Sequence, residues 1–359
     1  MKIIKSFLTK NPIQRVLLTS KTKFVSIIIV LFIFININSC NGVTEPEIQP
    51  GRRDYVWKVD TLKLPHGEFI TIFDIWGANS TDVWACGNAS SNKYRLWHYD
   101  GNYWSNVDTA LPLIDAIKIF GFDNKSVWLV TAAGHIFFYD GTKWFSQGNY
   151  STEKEWLVLT GIWGRDAADL YAFGFLDKRD LSGYYGCILK YTSGSWRFIN
   201  IEQLSLNFVT MGYDEESKKY FLSAFRSEDG MQFIYELYGN KLIKVYESKE
   251  ETKIFTMNNR LYFMIGKKVY KYKNKDGLYI WNDFSSYKDY IICLNGRNEK
   301  DLFATNFFDL GHYDGKDYRI LFSGNMWFNK ALLFENEIFI PAKNNQTGIN
   351  AIIHGVLSK

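Results

Sequence analysis

The chain has 359 residues, 47% of them hydrophobic and 18% aromatic, with 42 Lys and Arg against 38 Asp and Glu for a formal charge of +4. That much apolar surface offsets the entropy of ordering the chain, which excludes disorder for most of its length. Six of the cations (Lys2, Lys5, Lys10, Arg15, Lys21, Lys23) precede residue 40, where there are no acids; taking those six from the 42 leaves 36 basic against 38 acidic groups, too few cations to grip a nucleic acid through its phosphates.

Residues 1–23 are basic and polar, and an apolar run of 14 residues follows from Phe24 to Ile37. A run of that length falls short of the roughly 20 residues that span a bilayer. A basic start, a short apolar core and a small residue before a cut are the parts of a secretory signal peptide, here residues 1–39; an uncut anchor helix is the alternative. Ile37-Asn38-Ser39-Cys40 resembles a bacterial lipobox. The resemblance implies that Cys40 is diacylated, becomes the mature N-terminus and anchors the chain, each buried methylene contributing about 0.8 kcal/mol. Asn41 resembles the residue of lipoproteins forwarded to the outer membrane, so the expected address is that membrane, on its periplasmic face or at the cell surface. Residues 40–53 hold Pro46, Pro50, Glu45 and Glu47 without apolar periodicity and read as an extended tether. The three remaining cysteines, Cys86, Cys187 and Cys293, are odd in number and lack metal-like spacing. They are expected as buried thiols.

From residue 54 the chain repeats itself. An apolar segment ending in Trp/Phe-Gly, a short polar turn, Val/Leu-Trp/Tyr with a second apolar segment, and Tyr-Asp-Gly-x-x-Trp (Tyr-Thr-Ser-Gly-Ser-Trp in the third copy) recur around Gly77, Gly121 and Gly164, spaced by 44 and 43 residues. Weaker copies lie at Gly212, at Ile254–Trp281, at Gly296 and from about Lys330 to Val356. Period-two stretches such as Leu96–Tyr99 and Ile136–Tyr139 are strands with aromatics on both faces, which must be covered on both sides. Asp-Gly at 100–101, 140–141 and 314–315 marks tight hairpins. Four strands in each repeat predict an all-β, seven-bladed β-propeller over 54–357, with six blades as the alternative. Trp57–Pro65 resembles Trp104–Pro112. Residues 54–62 are therefore expected to supply the outer strand of the last blade and remove its open edge.

The Ile-Trp-Gly…Asp-Val-Trp-Ala-x-Gly…His-Tyr-Asp-Gly-x-x-Trp pattern resembles bacterial β-propeller lipoproteins akin to the Asp-box and WD-type propellers. That resemblance implies a fold and an address more than a reaction. Asp100, Asp140 and Asp314 read as turn residues, and Asp82, Asp169 and Asp301 as caps of the loop after the first strand. His98 and His312 share a position that Phe138 takes in another repeat and read as packing. Trp76, Trp84, Trp104, Trp128, Trp144, Trp163 and Trp196 read as core between blades. No phosphate-loop, metalloprotease, serine-hydrolase or paired-Cys zinc motif is present; no cofactor, metal ligand or catalytic residue is assigned. The departures from the repeat are more telling. Residues 175–185 lengthen the turn between the second and third strands of the third repeat, and residues 146–156 lengthen the connection into it. Both belong on one face of a propeller, where loops carry binding. Tyr150, Trp156, Asp177, Arg179, Asp180, Tyr184 and Tyr185 are the candidate contacts. The expected function is a monomeric, non-catalytic scaffold for a protein or glycan partner. The alternatives are an envelope glycoside hydrolase or lyase with two carboxylates in a central funnel, and an outer-membrane assembly scaffold.

Overall fold

A computed structural model describes residues 48–66, 68–287 and 293–359. The expected signal peptide, Cys40 and most of the tether lie outside the described residues. The folded unit runs from Pro50 to Lys359.

Seven antiparallel sheets follow one another along the chain, six of four strands and one of five. Blade 1 is built from Ile70–Asn79, Asp82–Ala89, Leu96–Tyr99 and Trp104–Asn106. Blade 2 uses Ala116–Asp123, Ser126–Thr131, His135–Tyr139 and Trp144–Asn149. Blade 3 uses Glu155–Asp166, Asp169–Lys178, Tyr184–Thr192 and Ser195–Phe198. Blade 4 spans Asn207–Ser248, blade 5 Thr252–Asp283 and blade 6 Cys293–Ser323. In blade 7 the innermost position is split between Met326–Phe328 and Leu332–Leu333, both paired with Glu337–Asn344, which Asn350–Leu357 flanks.

The last strand of blade 7 is Tyr55–Thr61, from the start of the unit. It pairs in unbroken register with Ala351–Leu357, Trp57 opposite Gly355, so the ring closes by the first ordered strand as expected. Inner strands of successive blades touch all the way round, blade 7 meeting blade 1. The chain is a seven-bladed β-propeller.

The core lies between blades. Trp128, Val130 and Ile136 of blade 2 pack with Leu157, Ile162 and Trp196 of blade 3; Ile70, Ile72 and Trp97 of blade 1 pack with Phe339 and Ile352 of blade 7. Edge-to-face tryptophans repeat across these seams, Trp84 against Trp144 at 5.4 Å and Trp128 against Trp196 at 5.6 Å. Cys86 and Cys187 are buried free thiols.

The Asp-Gly turns behave as the sequence predicts. Asp100, Asp140 and Asp314 each accept two backbone N–H bonds across the turn. Gly101, with φ of 95°, takes the left-handed conformation that a side chain resists. The expectation for Asp82, Asp169 and Asp301 needs correction. The loop before them is capped by the residue ending the first strand, Asn79, Asp123, Asp166 or Asn298, whose side chain accepts a backbone N–H two residues on. Asp82 and Asp301 instead reach the third strand, where they accept from His98 and His312 at 2.7 and 2.8 Å. Those histidines also pack as expected, His98 on Trp84 at 4.3 Å and His312 on Phe303 at 4.6 Å; Phe138 packs on Trp128 in the same place.

Candidate functional site

Turns joining second to third strands and connections joining blades form one face of the ring, here the upper face. Turns joining first to second and third to fourth strands form the lower face. The chain joins the ring at the lower face. Gly51 N–H donates to Lys300 O at 2.7 Å, and Arg53 donates to His312 Nδ1 at 3.0 Å and pairs with Asp317 at 2.6 Å and Asp314 at 3.2 Å. Gly51 and Arg53, expected in the tether, are thus held by blade 6, while Arg52 between them donates to Asp54 and Ser358 O.

The extra residues of blade 3 form longer strands rather than a long loop. Its second and third strands have 10 and 9 residues, against 6 and 5 in blade 2. Asp177 stands between Trp156 and Tyr184 in register, and Leu176 faces Tyr185. A hairpin continuous with the blade therefore rises above the upper face, leaving only Arg179–Gly183 as its turn. Leu181 at the tip is 81% exposed and has φ of 61°, a conformation costly for a branched side chain.

The candidate contacts divide. Asp180 is a turn residue, its carboxylate accepting from Ser182 N–H at 3.0 Å, and these hydrogen bonds lower its pKa. Tyr150 turns inward, donating to Gln147 O at 3.0 Å, half-buried against the blade 2–3 core. Tyr184 bridges to blade 4, donating to Glu228 at 3.0 Å and accepting from Ser227 N–H at 2.8 Å. Arg179 lies over the exposed Trp156 ring at 4.8 Å while its Nε donates to Thr152 O at 3.1 Å. Tyr185 donates to Glu155, and burial together with that carboxylate pushes its pKa up to about 12. The candidates thus form two groups on opposite sides of the blade, Arg179 over Trp156 with Asp177 and Tyr184 across the strands on one side, and Tyr185 with Glu155 on the other. Glu155 carries no motif, and the sequence reading missed it.

A cleft of about 320 Å³ opens beside Tyr185 and Glu155. Glu155, Tyr185, Cys187, Phe198, Asn200 and Gln203 help to line it. The connection out of blade 3 forms one wall, held by a bond from Gly186 N–H to Leu204 O at 2.9 Å.

Elsewhere on the upper face, Phe307 and Phe308 occupy the turn between the second and third strands of blade 6 and Trp327 begins the inner strand of blade 7. Phe308 and Trp327 are 55% and 52% exposed, and Phe307 meets Trp327 edge to face at 4.8 Å. Phe69, before the inner strand of blade 1, is equally open.

The inner strands latch neighbouring blades. Asp74 accepts from Lys118 Nζ at 2.8 Å and Ile119 N–H at 3.1 Å. Thr160 donates to Phe208 O, Asn295 to Ala331 O and Asn329 to Ile72 O. The inner-strand carboxylates have other partners than each other: Asp74 as above, Asp123 and Asp166 in turns, Glu155 with Tyr185, and Asp214 with Ser217 and Leu261 N–H. Among the described residues no three His, Cys, Asp or Glu gather to hold a metal.

No protein-family model matches this chain, and no curated protein matches it. Solved structures do. YCF48 bound to D1 peptide is similar over 88% of this chain and 100% of its own, with a TM-score of 0.61 at 15% identity. The fold is one that known propellers share. The WD40 propeller domain of Doa1 aligns over 83% of this chain and 97% of its own, with a TM-score of 0.54 at 9% identity. The extracellular domain of the hybrid two component system BT4673 from B. thetaiotaomicron aligns over 86% of this chain but 43% of its own, with a TM-score of 0.57 at 12% identity.

Proposed function

We propose that this chain is a lipid-anchored envelope protein whose propeller binds a protein partner on its upper face. The observation that carries the reading is the set of solvent-exposed apolar side chains there, Trp156, Leu181, Phe308, Trp327 and Phe69. A contiguous apolar patch left open marks an interaction surface; Phe307 meets Trp327 at 4.8 Å beside Phe308, and aromatics are enriched at the core of such interfaces. The similarity to YCF48, solved with a D1 peptide, favours a protein segment over a glycan as the occupant. The lipobox-like Ile37-Asn38-Ser39-Cys40 supports the anchor, and Asn41 supports the outer membrane. The folded unit begins at the lower face, with Gly51 and Arg53 bonded to blade 6, and the partner is assigned to the opposite, upper face.

Capture of partners from envelope extracts on the full chain tests this. Recovery of a defined protein, lost when Trp327 and Phe308 are both changed to Ser, is expected. Unchanged recovery with that double variant, or selective binding to glycan arrays in place of protein, would overturn the protein reading.

A further inference from the structure

The cleft on the rim of blade 3 differs from the open apolar patches in holding a carboxylate among its lining residues. Of the charged residues in its building segments, 152–155, 176–187 and 198–203, Glu155 alone lines it; Asp177 stands opposite Trp156, on the other side of the strand. Arg179 is already occupied by Trp156 and Thr152 O. Arg197 precedes the wall residue Phe198 and, by the alternation of a strand, points to the opposite side. Glu155 lines the cleft, half-buried, with one carboxylate oxygen accepting from Tyr185 and the other without a partner among the described residues. Leu176, Phe198, Ile199 and Ile201 supply apolar walls around it, and Asn200 and Gln203 stand at the rim. An aliphatic stem ending in a cation matches that lining: the stem lies on carbon and the charge meets a partly desolvated carboxylate. At about 320 Å³ the space is at the low end of ligand sites, right for one long side chain.

We infer that this cleft takes a lysine or arginine side chain of a bound protein segment, with Glu155 as its anionic partner. The inference rests on the upper face being a protein-binding surface. Glu155 accepts the cation, Tyr185 holds the carboxylate in place, and Phe198 covers the stem.

The test uses blocked peptides, acetyl-Ala-Ala-Lys-Ala-Ala-amide and its norleucine and Glu counterparts, titrated into the isotope-labelled full chain and followed by amide chemical shifts. The Lys peptide is expected to move the amides of 152–155, 185–187 and 200–203, and the norleucine and Glu peptides to leave them in place. E155Q keeps an oxygen for the Tyr185 hydroxyl, so its melting temperature should hold while Lys-peptide binding weakens at least tenfold. Phe198→Ala, which leaves the carboxylate intact, should weaken it about threefold. Equal binding of the norleucine peptide, or undiminished binding by E155Q, overturns the inference. Shifts confined to the Phe308–Trp327 region overturn it too, while leaving the upper-face reading standing. Absence of any shift also overturns it, and the upper-face reading is then judged by partner capture, in which E155Q and the unaltered chain should recover the same protein.

Discussion

His312 is fully buried and fixed in one tautomer. Its Nδ1 accepts from Arg53 Nε, so the ring proton lies on Nε2, which donates to Asp301. Asp301 also accepts from Arg297 at 2.9 Å, and a Cβ on Gly51 would collide with its carboxylate. The same two repeat positions are used around the ring with other chemistry. Glu337 takes His354 at 2.7 Å in blade 7, and in blade 4 the polarity reverses, Lys219 donating to Glu236 at 2.7 Å. In blade 5 both positions are cationic, and Arg260 and Lys271 pair with Glu216 and Glu299 of the adjacent blades. Burial works to raise the Asp301 pKa, but His312 and Arg297 outweigh it and hold the carboxyl below its ordinary value. A carboxyl lowered by folding contributes stability that is complete above its unfolded pKa of about 3.9 and is lost as pH falls through the lower folded value. Asp301→Asn leaves Arg297 and His312 without their anion and should cost about 3 kcal/mol at pH 7. Urea melts should show that loss, together with a smaller further decline between pH 5 and pH 2 than the unaltered chain suffers. An equal acid-side decline would show that Asp301 carries none of it.

At the scale of strands, Tyr55–Thr61 has the largest consequence, because it covers the last open edge of the ring. A chain beginning at Pro50 should fold and elute as a single species. One beginning at Lys63 exposes Asn350–Leu357 as an edge, and it should aggregate on size exclusion and melt over a broader range. Identical behaviour of the two would mean that closure contributes little. This strand was legible because Trp57–Pro65 repeats Trp104–Pro112. Blades 1 to 3 were legible for a similar reason: Trp/Phe-Gly in all three, and Asp-Gly in the first two with Ser-Gly in the third, answer to backbone geometry and return where the geometry does. Blade 4 keeps the anchor Gly212 but turns through Gly239-Asn240, and blade 5 keeps Asp276-Gly277 but has no anchor glycine in its first strand, so both copies were weak. Blade 3 was recognisable as the exception to the repeat. That its added residues continue as paired strands was not, because the outcome depends on Trp156, Asp177 and Tyr184 coming into cross-strand register. Glu155 and the cleft were hidden for a further reason. The wall at residues 199–203 exists only once the chain folds back to give Leu204 O to Gly186, and no local pattern encodes that return.

For the whole molecule, the decisive asymmetry is between the two faces of the ring. Gly51 and Arg53 fasten the chain to the Lys300 and Asp314–Asp317 turns on the lower face. The open Trp156, Phe308, Trp327 and Phe69, the blade 3 hairpin and its cleft belong to the upper one, whereas the exposed Tyr103 and Tyr238 sit at lower turns. Between Cys40 and Pro50 the chain can extend at most about 35 Å. On the proposed lipid anchor at Cys40, the start of the folded unit stays within that reach of the bilayer, and which face of the ring is nearer is measurable. Dye placed on Lys316→Cys, in a lower turn, should transfer energy to headgroup-labelled lipid more efficiently than dye on Ser182→Cys, at the tip of the blade 3 hairpin. Replacing Cys40 with Ala should abolish both signals by releasing the chain from the vesicle. If the hairpin dye instead transfers more strongly, the propeller lies with its upper face on the membrane. The apolar side chains there would then be contacts for lipid rather than for a protein, since the same exposed tryptophan and phenylalanine side chains that suit an interface also suit a headgroup layer.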